Sequence, residues 1–343
     1  MRHFNALSSG FAISCLAAPA LAADLPLRTS QPLMMDAPDT YWSASLSGGP
    51  GKDGIPSIDE PRWWDAEEGD AFLAPDDRVI GLYRNGEARA YPQRILVWHE
   101  IVNDTVGGEN VSVTYCPLTG TALGFLRGDN ELGVSGRLVN SNLIMYDRGT
   151  DSYWPQILGA AVNGPLKGEG LEEFRVFWTT WEGWRERHPD TQVLSDRTRY
   201  ARNYNHDPYG SYTPIGGYYA PDAGRMFPVL HEDARYPPKT EVFGFRTAGE
   251  AVAVDMDHLG REEVIVHSGE DGSYLIIHDP GLETAWVYHA PPDVTLDGNE
   301  VRFGPAGPEH EVLADLEPIN GFEAMWFAWY AFYPDTVVIN ADR

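Results

Sequence analysis

The sequence predicts a mainly β (α+β) protein: two homologous β-rich half-repeats with a few short helices, related by a pseudo-twofold. Three observations carry that expectation. Short apolar runs such as Val79-Ile80-Gly81-Leu82 and "VSVTY" (111–115) have the length and alternation of strands. The 35 Gly and 26 Pro residues punctuate the chain with turns. Finally, the chain matches itself at an offset of 163 residues. "VIGLYRNGEARAY" (79–91) falls on "VFGFRTAGEAVAV" (242–254), and "CPLTGTALGF" (116–125) falls on "DPGLETAWVY" (279–288). Without a gap, 11 of these 47 positions are identical, among them Gly81/Gly244, Gly86/Gly249, Pro117/Pro280 and Thr121/Thr284.

Along the chain, residues 1–23 read as a secretory signal peptide. Arg2 and His3 are basic, Leu7 to Leu16 is apolar but too short to span a bilayer, and Ala20-Leu21-Ala22 is a small-x-small cleavage site. A lipid-anchored reading of Cys15 fits less well, because position 12 is Ala. Residues 24–50 are expected to form an extended arm. The first β-rich repeat, carrying the candidate site, spans 51–200. A Tyr/Gly/Pro-rich connecting segment covers 201–235, and the second repeat covers 236–343. Within the first repeat, Asn85-Gly86 between two apolar runs predicts a hairpin. "PQRILVWH" predicts a short helix, "GENVSVTYC" and "TALGFLR" two strands, and "GVSGRLVNSNLIMYDR" (133–148) one longer strand. Thr179 with Glu182 predicts a capping box opening a helix over 180–187. Each repeat closes on a short aromatic helix, Pro-Asp-Thr and a strand, at 179–195 and 321–340.

Composition narrows the function. With 25 basic and 51 acidic side chains the formal charge is −26, which argues against nucleic acid and anionic lipid as partners. No segment reaches 18 uninterrupted apolar residues, so no membrane insertion is expected. No glycine-rich phosphate loop, serine nucleophile elbow or HExxH helix is present, so no nucleotide cofactor is expected. Of the two cysteines, Cys15 lies in the signal, leaving Cys116 alone in an exported, periplasmic or secreted protein.

A lone thiol in an oxidising compartment admits three readings. Cys116 and His99 are a soft-donor pair for a metal, with copper expected and zinc or iron as alternatives. A third ligand would come from His206, His231, His278 or His289, or from the softer Met145, and His278 is the choice among them. Such a centre would make the protein a periplasmic copper oxidoreductase or electron carrier. Alternatively, Cys116 is a nucleophile, His99 its base and the backbone of the Gly120 turn an oxyanion hole, in a transferase or hydrolase acting on an envelope substrate. Arg148, within "MYDRGTDSYWPQ" beside Asp147, Trp154 and Gln156, is expected either to form a structural salt bridge with Asp147 or to clamp a substrate carboxylate. Third, Cys116 is a buried apolar residue, His99 caps its helix or hydrogen-bonds in the core, and the chain is a non-catalytic periplasmic binding protein whose aromatic surface holds a partner. His188 and Tyr333, which precede the two Pro-Asp-Thr runs, are expected to be structural.

The blocks "YPQRILVWHEIVNDTVGG", "VTYCPLTGTA", "NSNLIMYDRGTDSYWPQ", "HPDTQVL" and "MWFAWYAFYPDT" together resemble domain-of-unknown-function family 3179, over about residues 51–343. The family's usual turn is Cys-Pro-Leu-Cys-Gly-Thr-Ala, and Thr119 stands where the second cysteine would be. The resemblance therefore implies no two-thiol chemistry in this chain.

Overall fold

In the computed structural model, which describes residues 25–340, β-structure dominates and the helices are few and short, seven residues or fewer. The signal peptide expected over 1–23 lies outside the described residues. Five sheets of four or five strands form a propeller-like ring of five blades. In ring-independent order, the first joins Leu46–Ser47, Leu132–Val139, Asn142–Asp147 and Tyr153–Pro155. The second joins Glu173–Phe174, Thr121–Leu126, Glu109–Cys116 and Ile101–Val106. The third joins Phe177–Thr180, Arg78–Arg84, Glu87–Pro92, Gln192–Leu194 and Trp63–Trp64. The fourth joins Gly321–Met325, Glu241–Arg246, Ala251–Asp255 and Val337–Ile339, and the fifth Val264–Ser268, Ser273–Asp279, Thr284–Ala290 and Pro318–Ile319.

The 163-residue repeat is legible between the third and fourth sheets. Both place a hairpin beside an antiparallel strand on one side and a parallel strand on the other. In both, a tryptophan of the aromatic helix covers a bare glycine on the sheet. A Cβ at Gly81 would come within 2.2 Å of the Trp184 ring, and one at Gly244 within 2.1 Å of Trp329. Each indole N–H then donates to the threonine of Pro-Asp-Thr, Trp184 to Thr191 at 3.0 Å and Trp329 to Thr336 at 2.9 Å. Glycine and Pro-Asp-Thr thus belong to one device: the glycine admits the ring and the threonine satisfies its buried polar edge. The division into two pseudo-twofold halves does not describe the molecule as a whole, because among the described residues the sheets of four or five strands form a ring of five blades.

Three local expectations change. Residues 133–148 are not one strand. Asn140 and Ser141 both take positive φ (53° and 60°) and turn the chain back into a hairpin. Two consecutive left-handed residues are the signature of a tight hairpin turn, and Asn-Ser supplies it without glycine. The helix at Trp181–Arg187 is capped by Thr180, which accepts from Gly183 N at 3.2 Å, not by Thr179. Within 24–50, Pro38–Ala44 is helical, Leu46–Ser47 extends the first sheet and Tyr41 is fully buried. The Asn85-Gly86 hairpin forms as read, with φ of 49° and 85°.

Candidate functional site

Cys116 ends the strand Glu109–Cys116 and sits fully buried in the largest apolar cluster, among residues such as Leu118, Leu143 and Met145. Its sulfur makes a long contact with the Ser141 carbonyl at 3.9 Å and is also engaged by the Thr119 side chain and the backbone of Leu118 and Leu143. Burial, reinforced by the charge of Glu100, pushes the thiol up to about 11, so the thiolate is scarce at neutral pH. The neighbouring turn is engaged rather than open: Thr119 N–H donates to the Cys116 carbonyl at 3.2 Å, and its own carbonyl accepts from Met325 N–H at 3.0 Å.

The turn's hydroxyls belong to a closed network. Thr121 donates to Gln156 Oε1 at 2.7 Å, and Asn142 Nδ2 reaches the same oxygen at 3.0 Å and Thr119 Oγ1 at 3.1 Å. Gln156 Nε2 returns to Thr114 Oγ1 at 2.9 Å. All five side chains are fully buried, so the network pins the first sheet to the second. Thr119, in the position of the family's second cysteine, takes part as a hydrogen-bonding residue.

His99 is equally buried and points elsewhere. Its Nδ1 lies 2.7 Å from the Pro56 carbonyl and its Nε2 2.7 Å from the Tyr204 hydroxyl. A carbonyl only accepts, so Nδ1 carries the proton and Nε2 accepts from the tyrosine. Both nitrogens are occupied, and burial holds the imidazole down to about 4. His278 sits on the fifth sheet, partly buried, beside a separate cavity with Glu263 and Phe303. His206 lines another cavity, His231 pairs with Asp36 at 2.8 Å, and His289 is on the fifth sheet. Among the described residues no group of three or more His, Cys, Asp or Glu side chains is arranged to hold a metal. The donors expected for copper, zinc or iron therefore do not fit such a centre: the sulfur is sealed, one imidazole is doubly bonded and the other lies on a different sheet.

Arg148 is held by acidic neighbours, with Asp59 at 2.8 Å and Glu131 at 2.5 Å, and by the Ser57 hydroxyl at 3.0 Å. It bridges surface segments, and its donors are committed there. Asp147 accepts from the Trp154 indole at 3.0 Å and from Thr150 at 2.7 Å. His188 stacks between Trp184 and Tyr83, with centroids 4.0 and 5.0 Å away.

What sequence reasoning missed is the residue after His99. Glu100 is only 5% exposed, yet its carboxylate has no hydrogen bond or ion pair among the described residues. It faces an open cleft of about 200 Å³ whose walls are largely apolar, including Ile55, Leu118, Leu138, Leu143 and Phe227. Burial pushes its carboxyl up to about 8. Tyr209 lines the same cleft, and no partner engages its hydroxyl among the described residues. Arg137 also borders it, but its guanidinium donates to Ser45 and lies over Trp42, 4.7 Å from the ring centre. The available signal was the repeat: Glu100 and Glu263 are identical at the same offset.

A family model described as "Protein of unknown function (DUF3179)" matches residues 52–336. No curated protein and no solved structure matches the chain.

Proposed function

We propose, from the premise that the chain belongs to the DUF3179 family, that it is a non-catalytic binding protein of the cell envelope, holding a small molecule in the cleft at Glu100. The observation that carries this reading is the contrast between the two candidate places. Cys116 and His99 are closed off in packing and hydrogen bonds. The cleft is open, apolar-walled and furnished with two polar groups that have no partner among the described residues, the combination expected of a small-ligand site. A nucleophile or a redox ligand needs an accessible thiolate, and the surroundings of Cys116 oppose one. The shared architecture of the third and fourth sheets supports their descent from one duplicated unit.

Native mass spectrometry of the protein prepared from cells tests the reading. The expected result is one small molecule per chain, recovered chemically unchanged and lost in Ile55→Trp, which fills the cleft. Ligand-free protein in every preparation, or conversion of the bound molecule into a product, overturns it.

A further inference from the structure

The glutamate facing the cleft has a counterpart that shows what is ordinary about it. Glu100 and Glu263 both follow a short helix, both take positive φ (59° and 61°), and both accept through the backbone carbonyl from the second strand that follows. Tyr115 N–H reaches Glu100 at 2.7 Å, and His278 N–H reaches Glu263 at 2.8 Å. The left-handed backbone is therefore a property of the repeated scaffold, and carries no functional meaning. The side chains differ. Glu263 is exposed to solvent, whereas Glu100 is 5% exposed and opens onto the cleft that Leu118, Leu138 and Leu143 also line.

Burial keeps the empty side chain protonated at neutral pH, and a mostly buried carboxyl without a partner is a group that a bound base completes by taking up its proton. What would complete this one is a cation, since no Lys, Arg or His pairs with it among the described residues and Arg137 is turned to Ser45 and Trp42. The walls ask for apolar contact. Resting on the binding reading above, we propose that the cleft recognises a primary amine carried on a compact apolar body, its ammonium group received by Glu100 and Tyr209. A cavity of about 150 Å³ holds benzene, so 200 Å³ accommodates a body of that size with its amine. The formal charge of −26 adds a long-range preference for cations over anions.

Three probes of one shape separate the possibilities: benzylamine, benzyl alcohol and benzoate, titrated calorimetrically against the full chain. The expected result is that benzylamine binds at least tenfold more tightly than benzyl alcohol. Glu100→Gln removes that preference while leaving the alcohol's affinity within twofold, and Ile55→Trp weakens both. A charge-assisted hydrogen bond typically contributes enough for such a factor. Equal affinity for amine and alcohol, unchanged in Glu100→Gln but lost in Ile55→Trp, overturns amine recognition and leaves the binding reading standing. Tighter binding of benzoate than of benzylamine also overturns it. No binding of any probe, with Ile55→Trp indistinguishable from the parent, defeats both. Circular dichroism of each variant identifies a folding failure, and Tyr209→Phe, which keeps the ring, supplies the second variant: it is expected to lower amine affinity alone.

Discussion

Replacing Glu100 by Gln keeps the shape of the side chain and removes its proton equilibrium, so its effect on stability is expected to depend on pH. In the folded chain burial raises the carboxyl from 4.5 to about 8. The folded state therefore holds the proton more tightly than the unfolded one. The contribution is fully present below about pH 4.5, drains away as pH rises, and is gone above about 8. At roughly 1.4 kcal/mol per pKa unit the ceiling is about 5 kcal/mol. The cleft is open, and water reaching the carboxylate lowers this to roughly half, on the order of 2–3 kcal/mol. Urea unfolding of parent and Glu100→Gln at pH 5, 6, 7 and 8 measures it. The variant should be the more stable at pH 8 by that amount, with the gap closing towards pH 5. His99 titrates in the same range but is common to both proteins and cancels in the difference. A stability difference that stays constant across these pH values refutes the assignment of Glu100 as a buried, unpartnered carboxyl.

Other expectations are more local. His99, held down to about 4 from 6.5 by burial, works in the opposite sense: its contribution is present above about pH 6.5 and is lost as pH falls towards 4. Relative to His99→Gln, parent protein should lose stability over that window, the Glu100 contribution cancelling in the difference, and Tyr204→Phe, which strips Nε2 of its donor, should cost about 1–3 kcal/mol by urea titration. Cys116 should resist iodoacetamide at pH 8 until the chain unfolds, and Cys116→Ala should lower stability by roughly 1–2 kcal/mol; rapid labelling of folded protein would contradict its burial. Gly81→Ala and Gly244→Ala each drive a methyl into a tryptophan ring and should cost about 3 kcal/mol or more, or prevent folding, so near-parental melting of either variant would dismiss the glycine–indole device. Gln156→Leu should cost several kcal/mol, about 3 or more, because it strands Asn142 and Thr121 without partners.

Much of the local structure could be read from short-range chemistry. Asn85-Gly86 turns because its two residues tolerate positive φ, and no distant contact is needed to know it. The same logic applies at Asn140-Ser141, where the lack of glycine concealed the turn inside an apolar run. The repeat revealed Gly81 with Gly244 and the two Pro-Asp-Thr runs, since each repeated residue answers to a neighbour repeated with it. That His99 and Cys116 do not meet was not readable in this way. The two residues are 17 positions apart, and where their side chains point depends on Pro56, Tyr204 and Ser141, which other parts of the chain supply.

By itself, then, the sequence determined the β-rich class, the punctuation of the strands, the family and the internal repeat, because these follow from periodicity, turn chemistry and self-similarity along the chain. Only the tertiary structure decided which polar groups are completed and which are left open. Cys116, His99 and Arg148 find partners or apolar cover from remote segments, whereas Glu100 opens onto the cleft lined by Leu118, Leu138 and Leu143 with no side-chain partner among the described residues. Solvation and pairing are properties of the space around a group, and that space is assembled from sheets far apart in the chain.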